Sequence, residues 1–185
     1  FVWCIPPGDF YDLCRVLDCE DVAPGRPRVL LRGDGHCSVL IKPLGNWREV
    51  LIGHTTWSSF HMMTRVYKHY HLPFRTAANS PTRVPAAHIS FSSYPGFVTS
   101  TDDWYQTSAG LLVTETTIIN NNQSLWANIQ PHTVLYWLRN TVANRLAATG
   151  PEWKVRFYLL KKVKDDMTMS LGNDLLRFSP SFLFV

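Results

Sequence analysis

A thiol and an imidazole stand seventeen positions apart in a segment that can fold back on itself. Cys37 begins one apolar run, His54 ends another, and Gly45-Asn46 lies between them. Gly-Asn between two apolar runs is typical of a two-residue β-hairpin loop. With that loop, Cys37 lies directly opposite His54, and opposed residues have β-carbons about 5 Å apart. An imidazolium at that distance lowers the pKa of a thiol, which favours the nucleophilic thiolate.

Pro43 offers an alternative to this register. Proline cannot donate to the ladder of a sheet, so the hairpin needs an edge position or a bulge there. A bulge would shift the register by one residue and separate the thiol from the imidazole.

The composition indicates one globular domain. The chain has 185 residues, of which 45% are hydrophobic and 17% charged, with a net charge of +4. No basic run with interleaved aromatic residues is present, so a nucleic-acid partner is not expected. The longest uncharged stretch, residues 116–138, is too polar for a transmembrane segment. Since the chain begins at Phe1 without a signal segment, a processed chain or a fragment is predicted.

The cysteine pattern predicts neither a metal site nor a cofactor. Cys-x-x-Cys and His-Glu-x-x-His motifs are both missing from the sequence. Three of the four cysteines precede Cys37, and Cys14 with Cys19 is the closest pair that could form a disulfide. Asn122 opens the single Asn-x-Ser glycosylation sequon, which has meaning only in a secreted chain.

Apolar periodicity predicts two helices. The first begins at Ser58 or Ser59 and runs to about His71, before Pro73, with a buried face that would form part of the core: Phe60, Met63, Tyr67 and Tyr70. The second opens at Pro131-His-Thr133 and ends at Gly150-Pro151, with a buried face of Leu135, Leu138, Val142 and Leu146.

Alternating residues predict strands over 88–94, 104–106 and 110–118, and the acidic pair Asp102 and Asp103 is expected to shape a turn before the second of these. Together with the hairpin, the order of elements predicts an α+β fold in which helices cover a largely antiparallel sheet.

Several ordered motifs resemble the phospholipase B-like family of N-terminal-nucleophile hydrolases. The resemblance covers about residues 8 to 153 and rests on these segments: Gly8-Asp-Phe-Tyr-Asp-Leu13, Cys37-Ser-Val-Leu-Ile-Lys42, His54-Thr-Thr-Trp57, Phe91-Ser-Ser-Tyr-Pro-Gly96, Asp102-Asp-Trp-Tyr105, residues 110–118 and residues 138–146.

This resemblance implies a mechanism as well as a fold. Family members form an αββα sandwich, and their precursor cuts itself before a cysteine that becomes the nucleophile. The implied scissile bond joins His36 to Cys37, and the freed α-amino group of Cys37 would act as the base. By motif match, His54, Trp57 and Thr117 lie in the pocket beside it. The implied activity is removal of acyl chains from phospholipids, in the lysosome lumen or after secretion.

The resemblance divides the chain into three parts. Residues 1–36 form a segment before the nucleophile, which could stay associated after cleavage. Residues 37–153 form a partial hydrolase core, and residues 154–185 form a divergent or truncated tail. Family members continue further and supply a Trp-Ala-Ser-Tyr-Asn-like motif that nothing in residues 154–185 matches, so the sandwich is expected to be incomplete. Two alternatives remain: a catalytically silent glycoprotein that binds lipid or a protein partner, and an amidase acting on N-acyl substrates.

Overall fold

The computed structural model describes residues 36–57, 60, 63–116, 134–159 and 182–184. Over these residues the chain has an α+β architecture, with two antiparallel sheets and two helices, as the sequence predicts. The strands are β1 (His36–Leu44), β2 (Glu49–Trp57), β3 (Val66–His71), β4 (His88–Ser93), β5 (Trp104–Thr107), β6 (Leu112–Thr116) and β7 (Phe182–Phe184). The helices are α1 (Tyr136–Leu146) and α2 (Gly150–Leu159).

The predicted hairpin is present, but its loop has four residues rather than two. Gly45, Asn46 and Trp47 all have left-handed backbone conformations, with φ of 45°, 57° and 65°. The amide of Arg48 then closes the loop by donating to the carbonyl of Leu44 at 3.1 Å. Three consecutive left-handed residues use up more chain than the two-residue loop allows, and the first pair of the ladder therefore forms two positions later on β2.

The predicted register of the hairpin was wrong by two residues. Cys37 pairs with Thr56, and His54 pairs with Val39. Pro43 pairs with Val50 in an unbroken ladder, so the alternative with a bulge was wrong as well. Since side chains alternate with a period of two along a strand, a shift of two leaves Cys37 and His54 on the same face of the hairpin.

The larger sheet has five strands in the order β3-β4-β5-β6-β7, with every neighbouring pair antiparallel. The predicted strands over 88–94, 104–106 and 110–118 are confirmed as β4, β5 and β6, although residues 117 and 118 lie outside the described part. The helices cover one face of this sheet, and the core between them consists of Ala86, Ile89, Phe91, Tyr105, Val113, Ala143, Ala147 and Trp153.

The first predicted helix was wrong, because its second half is strand β3. The segment Val66-Tyr-Lys-His-Tyr-His71 contains β-branched and aromatic residues that favour an extended backbone, and it pairs along its whole length with β4. The predicted core face is mostly exposed: Phe60 is 87% and Met63 is 70% accessible to solvent. Of the four predicted face residues, only Tyr70 packs against the core, where the centroids of its ring and the Phe91 ring lie 5.1 Å apart.

The second predicted helix is confirmed as α1, but its buried face was wrong. Leu138 is 40% exposed, whereas Asn140, Ala143, Asn144 and Arg145 are buried. Two of the polar members have hydrogen-bond partners in other parts of the chain. Arg145 Nη1 donates to two backbone carbonyls at 3.1 Å, and Asn144 Oδ1 accepts a hydrogen bond from Trp153 Nε1 at 2.6 Å. An apolar pattern cannot reveal a helix face that is satisfied by hydrogen bonds.

Gly150-Pro151 begins a further helix, α2, instead of only ending the preceding one. The Thr149 hydroxyl accepts from the amide of Glu152 at 3.4 Å, while the Glu152 carboxylate accepts from the amide of Ala148 at 2.9 Å. These two bonds satisfy amides that have no partner within the helix. Proline is tolerated in the first turn, where its missing N–H costs nothing.

The described helices are both short, and neither is long and apolar enough to cross a membrane. Of the predicted tail, residues 154–185, the structure describes the end of α2 and strand β7, which pairs with β6. Of the predicted first part, residues 1–36, only the backbone of His36 is described. The three-part division of the chain stays a prediction.

Candidate functional site

Three side chains of the hairpin form a chain of polar contacts that starts at the predicted nucleophile. The Cys37 thiol lies 3.7 Å from the Thr56 hydroxyl, which lies 3.5 Å from Nδ1 of His54. All three are partly buried, whereas their neighbours Ser38 and Thr55 are exposed. The alternation of the two strands therefore presents Cys37, Thr56 and His54 on the inward face, with Thr56 between the thiol and the imidazole.

The imidazole of His54 is held in one orientation by strand β6. Its Nε2 lies 3.0 Å from the backbone carbonyl of Glu115. A carbonyl oxygen can only accept a hydrogen bond, so Nε2 carries the hydrogen. In the neutral imidazole the lone pair is then on Nδ1, the nitrogen that faces Thr56. This arrangement makes His54 a proton acceptor toward Thr56.

A charged cluster joins the hairpin to the five-stranded sheet. Arg65 donates from Nη2 to the carbonyl of Thr56 at 3.2 Å and from Nε to the Tyr94 hydroxyl at 3.2 Å. Its Nε also lies 3.4 Å from a carboxylate oxygen of Asp102, and the Tyr94 hydroxyl donates to the other oxygen at 2.5 Å. The side chain of Asp102 is 5% exposed, so its charge is desolvated and compensated by these two partners.

The ionisation of this cluster follows from its contacts. The pKa of Arg65 is raised, first by the hydrogen bond with Tyr94 and to a lesser extent by the charge of Asp102, although burial acts in the opposite direction. Burial, followed by the hydrogen bond to Asp102, raises the pKa of Tyr94. Arg65 also interacts electrostatically with Cys37, and a positive charge at that position stabilises a thiolate.

A second acidic group lies next to the first. Asp103 has a left-handed backbone with φ of 52° and accepts a hydrogen bond from the Tyr136 hydroxyl at 3.0 Å. Burial, followed by the charge and hydrogen bonding of Glu115, raises the pKa of Asp103 well above its usual value. Burial, followed by the charge of Asp103, likewise raises the pKa of Tyr136. The chain bends at the acidic pair before β5, and both carboxyl groups also have specific partners that the sequence did not indicate.

A cleft with a volume of about 310 Å³ opens beside these groups. It lies between β2 and the five-stranded sheet, and its lining is mixed: Ile52, His54, Thr56, Arg65, Tyr67, Ser92, Asp102 and Trp104. The ring centroids of Trp104 and His54 lie 6.1 Å apart. Cys37 is not one of the lining residues, but its thiol contacts Thr56, which is.

The structure places the other predicted site residues in different ways. Trp57 ends β2 outside the cleft lining, is 55% exposed, and pairs with His36. Its side chain lies on the face of β2 opposite to Thr56, and its catalytic role stays a prediction. Thr117, Asn122, Cys14 and Cys19 lie outside the described residues. Within the described ranges, no group of three or more His, Cys, Asp or Glu side chains could hold a metal ion.

Four residues of the site were missed by the sequence reasoning: Thr56, Arg65, Tyr94 and Asp102. A signal existed for Thr56, because residues two apart on a strand share a face, and Thr56 follows His54 by two. The other three come from separate elements of the fold, and no spacing in the sequence relates them.

Fold and site together define an α+β protein with a cysteine, a threonine and a histidine aligned beside a cleft of mixed polar and apolar lining. A model of the family described as Phospholipase B matches residues 2–161. The proteins named "Putative phospholipase B-like 2" in Bos taurus and Homo sapiens are 47% and 42% identical over 123 and 148 residues, which is 65% and 79% of this chain. "Phospholipase B-like 1" of Homo sapiens is 39% identical over 147 residues, or 79% of this chain. The chain belongs to the phospholipase B family.

The chain spans only part of the length of these relatives. The matched residues cover 21% and 24% of the first two relatives and 25% of the third. Membership of the family therefore applies to this chain, while the activity and substrates of the complete proteins do not transfer directly.

Proposed function

We propose that this chain carries the nucleophile of a phospholipase B-like hydrolase that removes fatty acyl chains from phospholipids. In this proposal the chain cuts itself between His36 and Cys37. The observation that carries the proposal is the alignment of the Cys37 thiol with Thr56 and His54 at the edge of the cleft. Family membership supports the lipid substrate class.

The proposed turnover uses the new chain end as its base. An α-amino group has an ordinary pKa of about 7.7–8.0 and can take the proton of the Cys37 thiol. The thiolate attacks the ester carbonyl, and the alcohol leaves with a proton, which gives a thioester between the acyl chain and Cys37. Water then hydrolyses the thioester and releases the fatty acid. The charge of Arg65, which interacts with Cys37, favours the thiolate during this cycle.

The remaining parts of the proposal rest on family likeness. An N-terminal-nucleophile αββα sandwich is compatible with the two sheets and two helices of the described residues. Completing it would require further chain, which agrees with the share of the relatives that this chain spans. We propose a lysosomal or secreted location, glycosylation at Asn122, and association with the segment cleaved before Cys37.

Two alternative functions make different predictions. A catalytically silent lipid-binding glycoprotein would keep the fold without reacting with a thiol-directed acyl probe. An amidase would form the same thioester but turn over N-acyl amides rather than acyl esters. The mixed lining of the cleft does not distinguish an ester carbonyl from an amide carbonyl, so substrate comparison decides between ester and amide.

The first experiment is N-terminal sequencing with intact mass on the full chain, purified from a secretory host and held at acidic pH. We expect a new chain end at Cys37 in the unmodified protein, and none in Cys37→Ala. Ser38→Ala is the matched control, because Ser38 is the exposed neighbour on the opposite face, and it should be cut normally. Cleavage in Cys37→Ala, or an uncut unmodified chain, would refute the proposal.

A further inference from the structure

The cut before Cys37 needs a base that the uncut chain does not yet have. As long as Cys37 is joined to His36, its nitrogen is an amide and cannot take up a proton. The α-amino group that serves later turnover forms only when this bond breaks. The thiol proton must therefore go to another group in the first reaction, and that group has to be in place in the uncut protein, which is the form that this structure describes.

We propose that Thr56 relays the proton of the Cys37 thiol to His54 in the self-cleavage step. This inference rests on the proposed function above. The Thr56 oxygen lies 3.7 Å from Cys37 Sγ and 3.5 Å from His54 Nδ1. A hydroxyl can accept one hydrogen bond while it donates another, so Thr56 bridges the two groups that the hairpin register keeps apart.

The orientation of each partner suits the relay. The hydrogen bond between His54 Nε2 and the carbonyl of Glu115 keeps the lone pair of the neutral ring on Nδ1, toward Thr56. The Thr56 hydroxyl donates at 3.2 Å to the carbonyl of Asp102, and turning about its C–O bond redirects the hydrogen to His54. The bond from Arg65 to the Thr56 carbonyl fixes the backbone at that point.

The relay balances protons and bonds. The thiol proton passes to the Thr56 oxygen while the Thr56 proton passes to His54 Nδ1, which leaves a Cys37 thiolate and a His54 imidazolium. The thiolate forms a bond to the carbonyl carbon of His36, and the bond from that carbon to the Cys37 nitrogen breaks. The nitrogen takes back the proton through Thr56. Water then hydrolyses the resulting thioester, which frees the His36 carboxyl and restores the Cys37 thiol.

The test measures the rate of self-cleavage in variants of the full chain. Thr56→Val keeps the shape of the side chain and removes the hydroxyl, and we expect cleavage to slow by about 100-fold or more, the usual range for a lost acid–base group. Thr56→Ser restores a hydroxyl and should recover most of the rate. Thr55→Val is the control, because Thr55 is the exposed residue on the opposite face of β2, and its rate should not change.

The outcomes separate the relay from the proposed function. Thr56→Val cleaving at the unmodified rate, while Cys37→Ala stays uncut, would overturn the relay and leave the function standing. An uncut unmodified chain would overturn both. If Thr56→Val fails to fold, the unmodified chain decides the matter through its cleavage rate in mixtures of H₂O and D₂O. Two protons moving together give a curved dependence on the deuterium fraction, and a straight line would overturn the relay.

Discussion

Replacing Arg65 by glutamine tests whether the charged cluster holds the hairpin against the five-stranded sheet. The variant removes the donor to the carbonyl of Thr56 and the positive partner of Asp102. Tyr94 continues to donate to Asp102, so the carboxylate keeps one of its two partners. The hairpin loses a link that connects β2 to Asp102 and Tyr94.

The expected loss of stability follows from exposure and geometry. Breaking a buried ion pair from one side costs about 3–5 kcal/mol. Arg65 is 43% exposed, so solvent screening reduces this contribution to about 1–2 kcal/mol. The hydrogen bond to Thr56 adds about 1 kcal/mol. The total of about 2–3 kcal/mol corresponds to a fall in melting temperature of about 4–12 °C for a chain of this size.

Thermal and denaturant unfolding of Arg65→Gln measure this loss directly. Arg48→Gln is the matched control, because Arg48 lies exposed in the hairpin loop, and it should change the free energy of unfolding by less than about 0.5 kcal/mol. In an Asp102→Asn background the Arg65 substitution should cost about 1 kcal/mol less, since no buried carboxylate is left behind. Equal losses in Arg65→Gln and Arg48→Gln would refute the reasoning.

Two other predictions concern the interior. Burial and Glu115 raise the pKa of Asp103 above 3.8, so the folded state retains a proton that the unfolded chain releases. The free energy of unfolding should therefore fall as pH rises from about 4 through the folded pKa. In denaturant titrations, Asp103→Asn should remove this pH dependence, and an unchanged pH dependence would contradict the prediction. Trp153→Phe should lower the free energy of unfolding by about 2–4 kcal/mol, because Trp153 is 1% exposed and its loss leaves the buried oxygen of Asn144 without a donor. Trp47→Phe is the control, at a position 79% exposed, and it should keep the melting temperature of the unmodified chain. Equal melting temperatures for the two variants would contradict the prediction.

Strands β4, β5 and β6 could be predicted from the sequence because their alternation reflects burial on one face of a sheet. The helix predicted up to about His71 was wrong, although the spacing of its apolar residues fits a helix: Phe60, Met63, Tyr67 and Tyr70. Residues 66–71 favour an extended backbone and pair with β4, and these two factors determine the structure. Spacing describes only local order. Pairing with a distant strand overrides it whenever the backbone preference agrees.

The site could be predicted only in its hairpin half. Cys37 and His54 were identified from local sequence, and both lie on the inward face. Arg65 and Asp102 come together through the packing of the hairpin against the sheet, which no local pattern encodes. The polar face of α1 was missed for a related reason, since the burial of Asn144 depends on Trp153 in another helix.

The four-residue loop at Gly45–Arg48 has a consequence for how this site tolerates change in chain length. In this sequence, loops of two or four residues both leave Cys37 and His54 on the inward side, because the two registers differ by two residues. A residue inserted within the loop lengthens the loop and leaves the pairing of Leu44 with Glu49 unchanged. A residue inserted within β1 or β2, between the loop and Cys37 or His54, would instead turn that side chain to the outside, unless a bulge absorbed it. The site therefore tolerates a change of length in the loop better than in either strand.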